Sequence, residues 1–172
     1  MEEITSETYT PELSRIVELE RLVKMKTPYT IKASVEECAE LAERFEFVAV
    51  NGFELVYTAT HLGGKAIDFN VIGAMKASLA QRCTVTLKEI PEEIDETFSF
   101  RVVHPKQQEE FELELSEFED FEFSSDGIVD LGEIGAQYLS LSADPYPRFE
   151  DSDVPVMETR KNPFAVLEQL KK

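Results

Sequence analysis

Apolar residues recur along this chain with two different periods, and the changeovers between the periods mark its predicted elements. After a polar, loosely held lead of residues 1 to 13, Ile16, Val17, Leu19 and Leu22 stand among charged residues in a strand-like pattern. Pro28 to Ala33 reads as a second short strand. A helix then begins at Ser34, whose hydroxyl can accept from an orphan amide while Glu37 reaches back to the Ser34 amide. Val35, Cys38, Leu41, Ala42 and Phe45 recur at helical spacing and form its apolar stripe. From Phe47 the period drops to two. Phe53, Leu55, Tyr57, Ala59 and His61 share one face of a strand that ends at the Gly63-Gly64 turn. A longer run puts Met75, Ala77, Leu79, Cys83, Val85 and Leu87 on one side and Lys76, Ser78, Arg82, Thr84, Thr86 and Lys88 on the other, with Gly73 as a bulge or bend. Beyond Pro91, Phe98, Phe100 and Val102 alternate in the same way.

Residues 105 to 126 carry nine acids and one lysine. Glu110 to Leu115 alternates strictly enough for an edge strand, and the rest is expected to be a solvated acidic loop, because so many like charges disfavour packing. Asp130 then caps a helix, with Glu133 at the capping-box position and Leu131, Ile134, Tyr138 and Leu141 as its apolar face. Asp144-Pro145-Tyr146-Pro147 stops it, since two prolines remove donors and fix φ. After a polar linker, Asn162-Pro163 opens a last short helix, Phe164 to Lys171. The expected architecture is α+β, with one helix in the N-terminal half and two near the C-terminus. Its antiparallel sheet has one wet face and strands long enough to curl toward a barrel. Residues 1–148 form a single domain in this reading, and 149–172 a linker and short helix.

Charge narrows the partners. With 35 acidic and 17 basic residues the formal net charge is -18, which repels anionic surfaces and argues against non-specific adhesion to nucleic acid, DNA included, or to membrane, and favours a protein-mediated or locally basic contact over bare RNA binding. The first residues have neither a basic nor an apolar signal region, and no apolar run is long enough to span a bilayer, so the cytoplasm is the expected compartment. Two cysteines, Cys38 and Cys83, cannot make a secreted-type disulfide framework. Both sit on apolar faces, where a buried cysteine acts as a small hydrophobe.

Catalytic patterns are missing from the sequence. Two cysteines far apart plus His61 and His104 lack the paired spacings of a zinc site. Gly63-Gly64 is not a phosphate loop, and no nucleophile motif accompanies a histidine and a carboxylate. No enzymatic activity and no cofactor are expected. Two segments are locally basic. Residues 61–88 hold Lys65, Lys76, Arg82 and Lys88 against Asp68, and residues 15–32 hold Arg15, Arg21, Lys24, Lys26 and Lys32 against Glu18 and Glu20. Lys76, Arg82 and Lys88 share parity and could line one exposed face for RNA or an acidic partner. Tyr146 and Arg148, on the rigid proline exit, are the other candidate contacts. An ordinary solvated sheet face explains the lysines equally well.

Four segments carry a resemblance. They are the entry strand at Ser14-Arg15 with the strand-helix unit through Phe45, the run Gln81 to Leu87, the stretch from Asp130-Leu131-Gly132-Glu133 to Asp144-Pro145-Tyr146-Pro147-Arg148, and Asn162 to Leu167. In this order the chain resembles the alphaproteobacterial branch of the YceD family, the large ribosomal RNA subunit accumulation proteins, long catalogued as a domain of unknown function. The resemblance implies an accessory role in accumulation of large-subunit (23S) ribosomal RNA, with ribosomal RNA or a large-subunit ribosomal protein as partner. Many members carry a Cys-x-x-Cys near Cys83, which implies metal binding there. Here Ala80 and Thr86 stand three positions to either side, so Cys83 is the one ligand from which a metal-binding regulatory module would start. A small hydrolase is the remaining alternative.

Overall fold

The computed structural model describes residues 11–25, 27–63, 67–107 and 120–149. Its elements run β1 (Ile16–Glu18), α1 (Leu19–Lys24), β2 (Tyr29–Lys32), α2 (Val35–Arg44), β3 (Ala49–His61), β4 (Asp68–Arg82) and β5 (Glu89–Val103). A 3-10 turn (Pro105–Gln107), β6 (Asp120–Phe123), β7 (Ile128–Asp130) and α3 (Leu131–Ser142) follow. Five strands make one sheet in the order β2-β3-β4-β5-β6, and β1 pairs with β7 in a separate two-stranded ladder. All neighbours are antiparallel except β5 and β6, which run parallel. The fold is α+β as expected, but the sheet is open, with β2 and β6 at its edges. It does not curl into a barrel.

The period-two pattern explains the layering. Phe53, Leu55 and Tyr57 of β3 and Phe69, Val71, Met75, Ala77 and Leu79 of β4 share one face. They join Leu19 and Leu22 of α1, Cys38 and Leu41 of α2, and Leu131, Ile134 and Leu139 of α3 in one core. The opposite face keeps Thr58, Thr60, Ile72, Lys76 and Asp95 exposed to water. The capping box at Ser34 and Glu37 is present in full, with both reciprocal hydrogen bonds formed. Asp130 caps α3, accepting from the amides of Gly132 and Glu133. Glu133 does not complete a box there, because Arg44 of α2 holds both its carboxylate oxygens at 2.8 Å.

Several expectations change. Leu19 to Lys24 is helical rather than a continuation of the strand, and Leu19 and Leu22, one turn apart, are its buried residues. Leu13, in the lead expected to be loose, is fully buried. Gly73 makes no bulge. Across the ladder it faces Phe98, whose ring would stand 2.4 Å from a Cβ at position 73, so glycine makes room for an aromatic ring. The register shifts instead between Val50 and Gly52 of β3. Part of the expected acidic loop is β6. Val35 and Leu141 lie off the buried faces of their helices and are exposed, while Leu139 takes the inward place on α3. Glu110 to Leu115 and the helix expected at Phe164 to Lys171 lie outside the described residues.

Candidate functional site

The run read from Met75 to Lys88 as one strand is broken at Arg82, and this break builds the candidate site. Cys83 to Lys88 form the hairpin turn between β4 and β5, closed by the Cys83 amide donating to the Lys88 carbonyl at 2.8 Å and the Leu87 amide donating to the Cys83 carbonyl at 2.9 Å. Against this turn lies the proline exit of α3. The Thr84 amide donates to the Pro147 carbonyl at 2.8 Å and the Thr84 hydroxyl to the same oxygen at 3.2 Å. Gln81 donates to Glu92 at 2.7 Å and to the Asp144 carbonyl at 3.0 Å, and Glu92 in turn accepts the Asp144 amide at 3.0 Å. Proline fixes φ at both 145 and 147, and the Tyr146 amide donates to the Asp144 carboxylate at 2.8 Å. The exit is thereby held rigidly against the turn.

Cys83 lies at the centre of this knuckle. It is fully buried, and its Sγ accepts from the Thr86 amide at 3.3 Å. Burial pushes the thiol up. Hydrogen bonds from the Thr86 side chain and the amides of Thr86, Phe149 and Val85 outweigh that and bring it down to about 6. Cys83 is thus an acceptor that ties the turn to the exit, more than the small hydrophobe expected. Cys38 does behave as one: it is buried among apolar neighbours, and burial raises its thiol. Among the described residues no three of His, Cys, Asp and Glu are grouped where they would hold a metal.

Four of the five candidate contact residues meet at this knuckle. Arg82 ends β4, Lys88 closes the turn, and Tyr146 and Arg148 lie on the exit. All four are exposed, Tyr146 by 75%. Lys76 does not join them. Six residues back along β4, it is about 20 Å away at ordinary strand rise, and it pairs with Asp95 at 3.2 Å. Lys32, Glu54, Lys76 and Asp95 form one cross-strand row of alternating charge, which lines an open concavity of about 580 Å³ on the wet face. Lys32 and Glu54 are paired at 3.0 Å and Ser78 donates to Glu93 at 2.6 Å, so the polar groups of that concavity satisfy one another. The basic stripe expected along the strand is therefore interrupted and partly neutralised by β5.

Sequence reasoning missed the residues that assemble the knuckle. Leu87 was expected to face inward on a strand, yet it is 69% exposed at a φ of +60°. A bulky non-glycine side chain is costly in that left-handed region, so the turn holds a strained leucine just before its closing residue Lys88. Nothing local to the sequence marks it. Gln81, Thr84 and Pro147 act across the fold, and only the meeting of two distant segments reveals them. His61 and His104 each use Nδ1 to accept a nearby backbone amide, from Gly63 at 3.2 Å and Lys106 at 3.0 Å. The chemistry this arrangement offers is binding of an anionic partner, through exposed cations that pair with no described carboxylate and an exposed aromatic residue on the same knuckle. The chain matches no family model, no curated protein and no solved structure.

Proposed function

We propose that this chain is a non-catalytic accessory factor in large-subunit ribosome biogenesis. It sustains accumulation of 23S ribosomal RNA in the cytoplasm through contact with that RNA or with a large-subunit ribosomal protein. The observation that carries the reading is the knuckle. Gln81–Leu87 and Asp144–Arg148, which belong to two of the four segments behind the YceD resemblance, hydrogen bond to each other and so bring Arg82, Lys88 and Arg148 onto one knuckle. None of these three cations forms an ion pair with a described carboxylate, in a chain where acids outnumber bases by 35 to 17. Such a surface is local, which is how a protein of charge -18 can meet an anionic partner at all. The metal-binding alternative has no ligand group among the described residues to support it.

Deleting the gene is expected to lower mature large-subunit rRNA and the large-subunit peak in a sucrose gradient. Wild-type protein restores both, and a variant with Arg82→Ser, Lys88→Ser and Arg148→Ser together does not, although it folds. Unchanged rRNA and subunit profiles in the deletion strain would remove the proposal.

A further inference from the structure

We infer that the knuckle binds single-stranded RNA, with one unstacked base laid on the Tyr146 ring and neighbouring phosphates taken by Arg82, Lys88 and Arg148. The inference rests on the ribosome-biogenesis reading and names its partner. Tyr146 has the properties of a stacking platform. The residue is 75% exposed, while its backbone is fixed by Pro145, by buried Pro147 and by the hydrogen bond to Asp144. A base can therefore stack on it without ordering a loop first, and base–aromatic stacking tolerates any sequence. Leu87, held exposed in the turn beside Lys88, offers a second apolar side chain.

Charge chooses the strandedness. Beside the knuckle, β5 carries Glu89, Glu92, Glu93, Asp95 and Glu96 in eight residues. Glu92 is engaged by Gln81 and Asp144, and Glu93 by Ser78, but these neutral partners leave the negative charge in place. A duplex brings two dense rows of phosphates, about one charge per 1.7 Å, against this acidic strip. A folded acidic protein likewise presents a broad anionic surface to it. A single strand presents its phosphates one at a time and can follow individual cations, Arg82 included although Glu89 stands opposite it across the ladder, without laying a second row of phosphates along the strip. Single strands also have the unstacked bases that an exposed aromatic ring needs.

The test is fluorescence anisotropy of the full chain with a labelled oligouridine of about 12 nucleotides and with an RNA duplex of equal length, across a salt series. The single strand is expected to bind more tightly than the duplex. Tyr146→Ala weakens single-strand binding about 5- to 150-fold, and Tyr146→Phe changes it less than about twofold, since the ring remains. Removing Arg82, Lys88 and Arg148 together lowers the slope of log affinity on log salt by about 2. Because all four side chains are exposed, the urea midpoint of each variant at high salt, where surface charge is screened, should stay at the wild-type value, which separates binding from folding. Equal affinity for duplex, or wild-type affinity in Tyr146→Ala, overturns the inference. Capture from lysate that survives nuclease overturns it too, and identifies a protein partner instead. If RNA binding fails while the deletion strain still loses mature rRNA, the functional reading stands and this inference alone falls.

Discussion

Asp130 shows how much one side chain can organise. Its Oδ1 accepts the Arg15 amide at 2.6 Å and the amides of Gly132 and Glu133 at 3.1 and 3.2 Å, while Oδ2 accepts the Ser14 hydroxyl at 2.5 Å. One carboxylate thus caps α3 and fastens the N-terminal segment to it. Two glycines make the approach possible. A Cβ at Gly132 would lie 2.5 Å from the Leu13 carbonyl oxygen, and one at Gly135 would lie 2.3 Å from a Leu55 methyl and 2.8 Å from the Tyr57 hydroxyl. Alanine favours a helix over glycine by about 1 kcal/mol, yet overpacking costs about 1–3 kcal/mol. At Gly132 the obstacle is backbone, which cannot rotate away, whereas at Gly135 a leucine end can yield. Urea denaturation should find Gly132→Ala clearly destabilised and Gly135→Ala less so. A midpoint for Gly132→Ala at or above wild type would contradict this packing.

At the scale of elements, β6 is the weak member of the sheet. It adds four residues in parallel at an edge, where Asp120 and Glu122 sit opposite the inward-facing Phe100 and Val102. Inward carboxylates blunt an edge against further strands, at some cost to its own stability. The Tyr138 hydroxyl donates to Asp120 at 2.6 Å, and its ring stacks on Phe98 with centroids 3.9 Å apart, so α3 holds the strand in place. Burial, and secondarily the charge on Asp120, raises the Glu122 carboxyl above its usual value. A carboxyl raised in the folded state destabilises the fold when ionised. The penalty is therefore full above the raised folded value, shrinks as pH falls through it, and vanishes below the unfolded value near 4.5. Glu122→Gln should accordingly stabilise the protein at pH 7 and make no difference below about pH 4. Equal effects at both pH values would show that ionisation is not the cause.

Across the whole molecule, charge works against compactness. Ion pairs such as Arg44 with Glu133, and Arg101 with Asp68, recover part of the balance, but 35 acids cannot all be paired by 17 bases. Raising ionic strength from about 0.01 to 0.15 M shortens the screening length from about 30 to 8 Å. That weakens repulsion between distant carboxylates more than it weakens contact pairs. The melting temperature of the full chain should therefore rise over this range, and a fall would mean that local ion pairs outweigh the net repulsion. Knuckle variants, which remove cations that pair with no described carboxylate, should melt slightly lower at low salt and converge with wild type at high salt.

Much of the fold was legible because its causes are local. The capping box at Ser34 and Glu37, the cap at Asp130, the proline stop and the alternating faces of β3 and β4 depend on neighbours a few residues away. The sequence hides α1 because Ile16 and Val17 favour a strand, and burial of both Leu19 and Leu22 selects the helical spacing. The β6 strand was hidden by its charge, since parallel pairing with β5 and the Tyr138 hydrogen bond come from distant residues. In the site, residue type alone marks Arg82, Lys88 and Arg148 as cationic and Tyr146 as an aromatic between two prolines. That these four meet at one knuckle, that Lys76 is claimed by Asp95, and that Leu87 projects from the turn follow from contacts between distant segments. Residue type and short spacing fix local conformation, but convergence of residues some 60 positions apart is set by how the sheet and α3 pack.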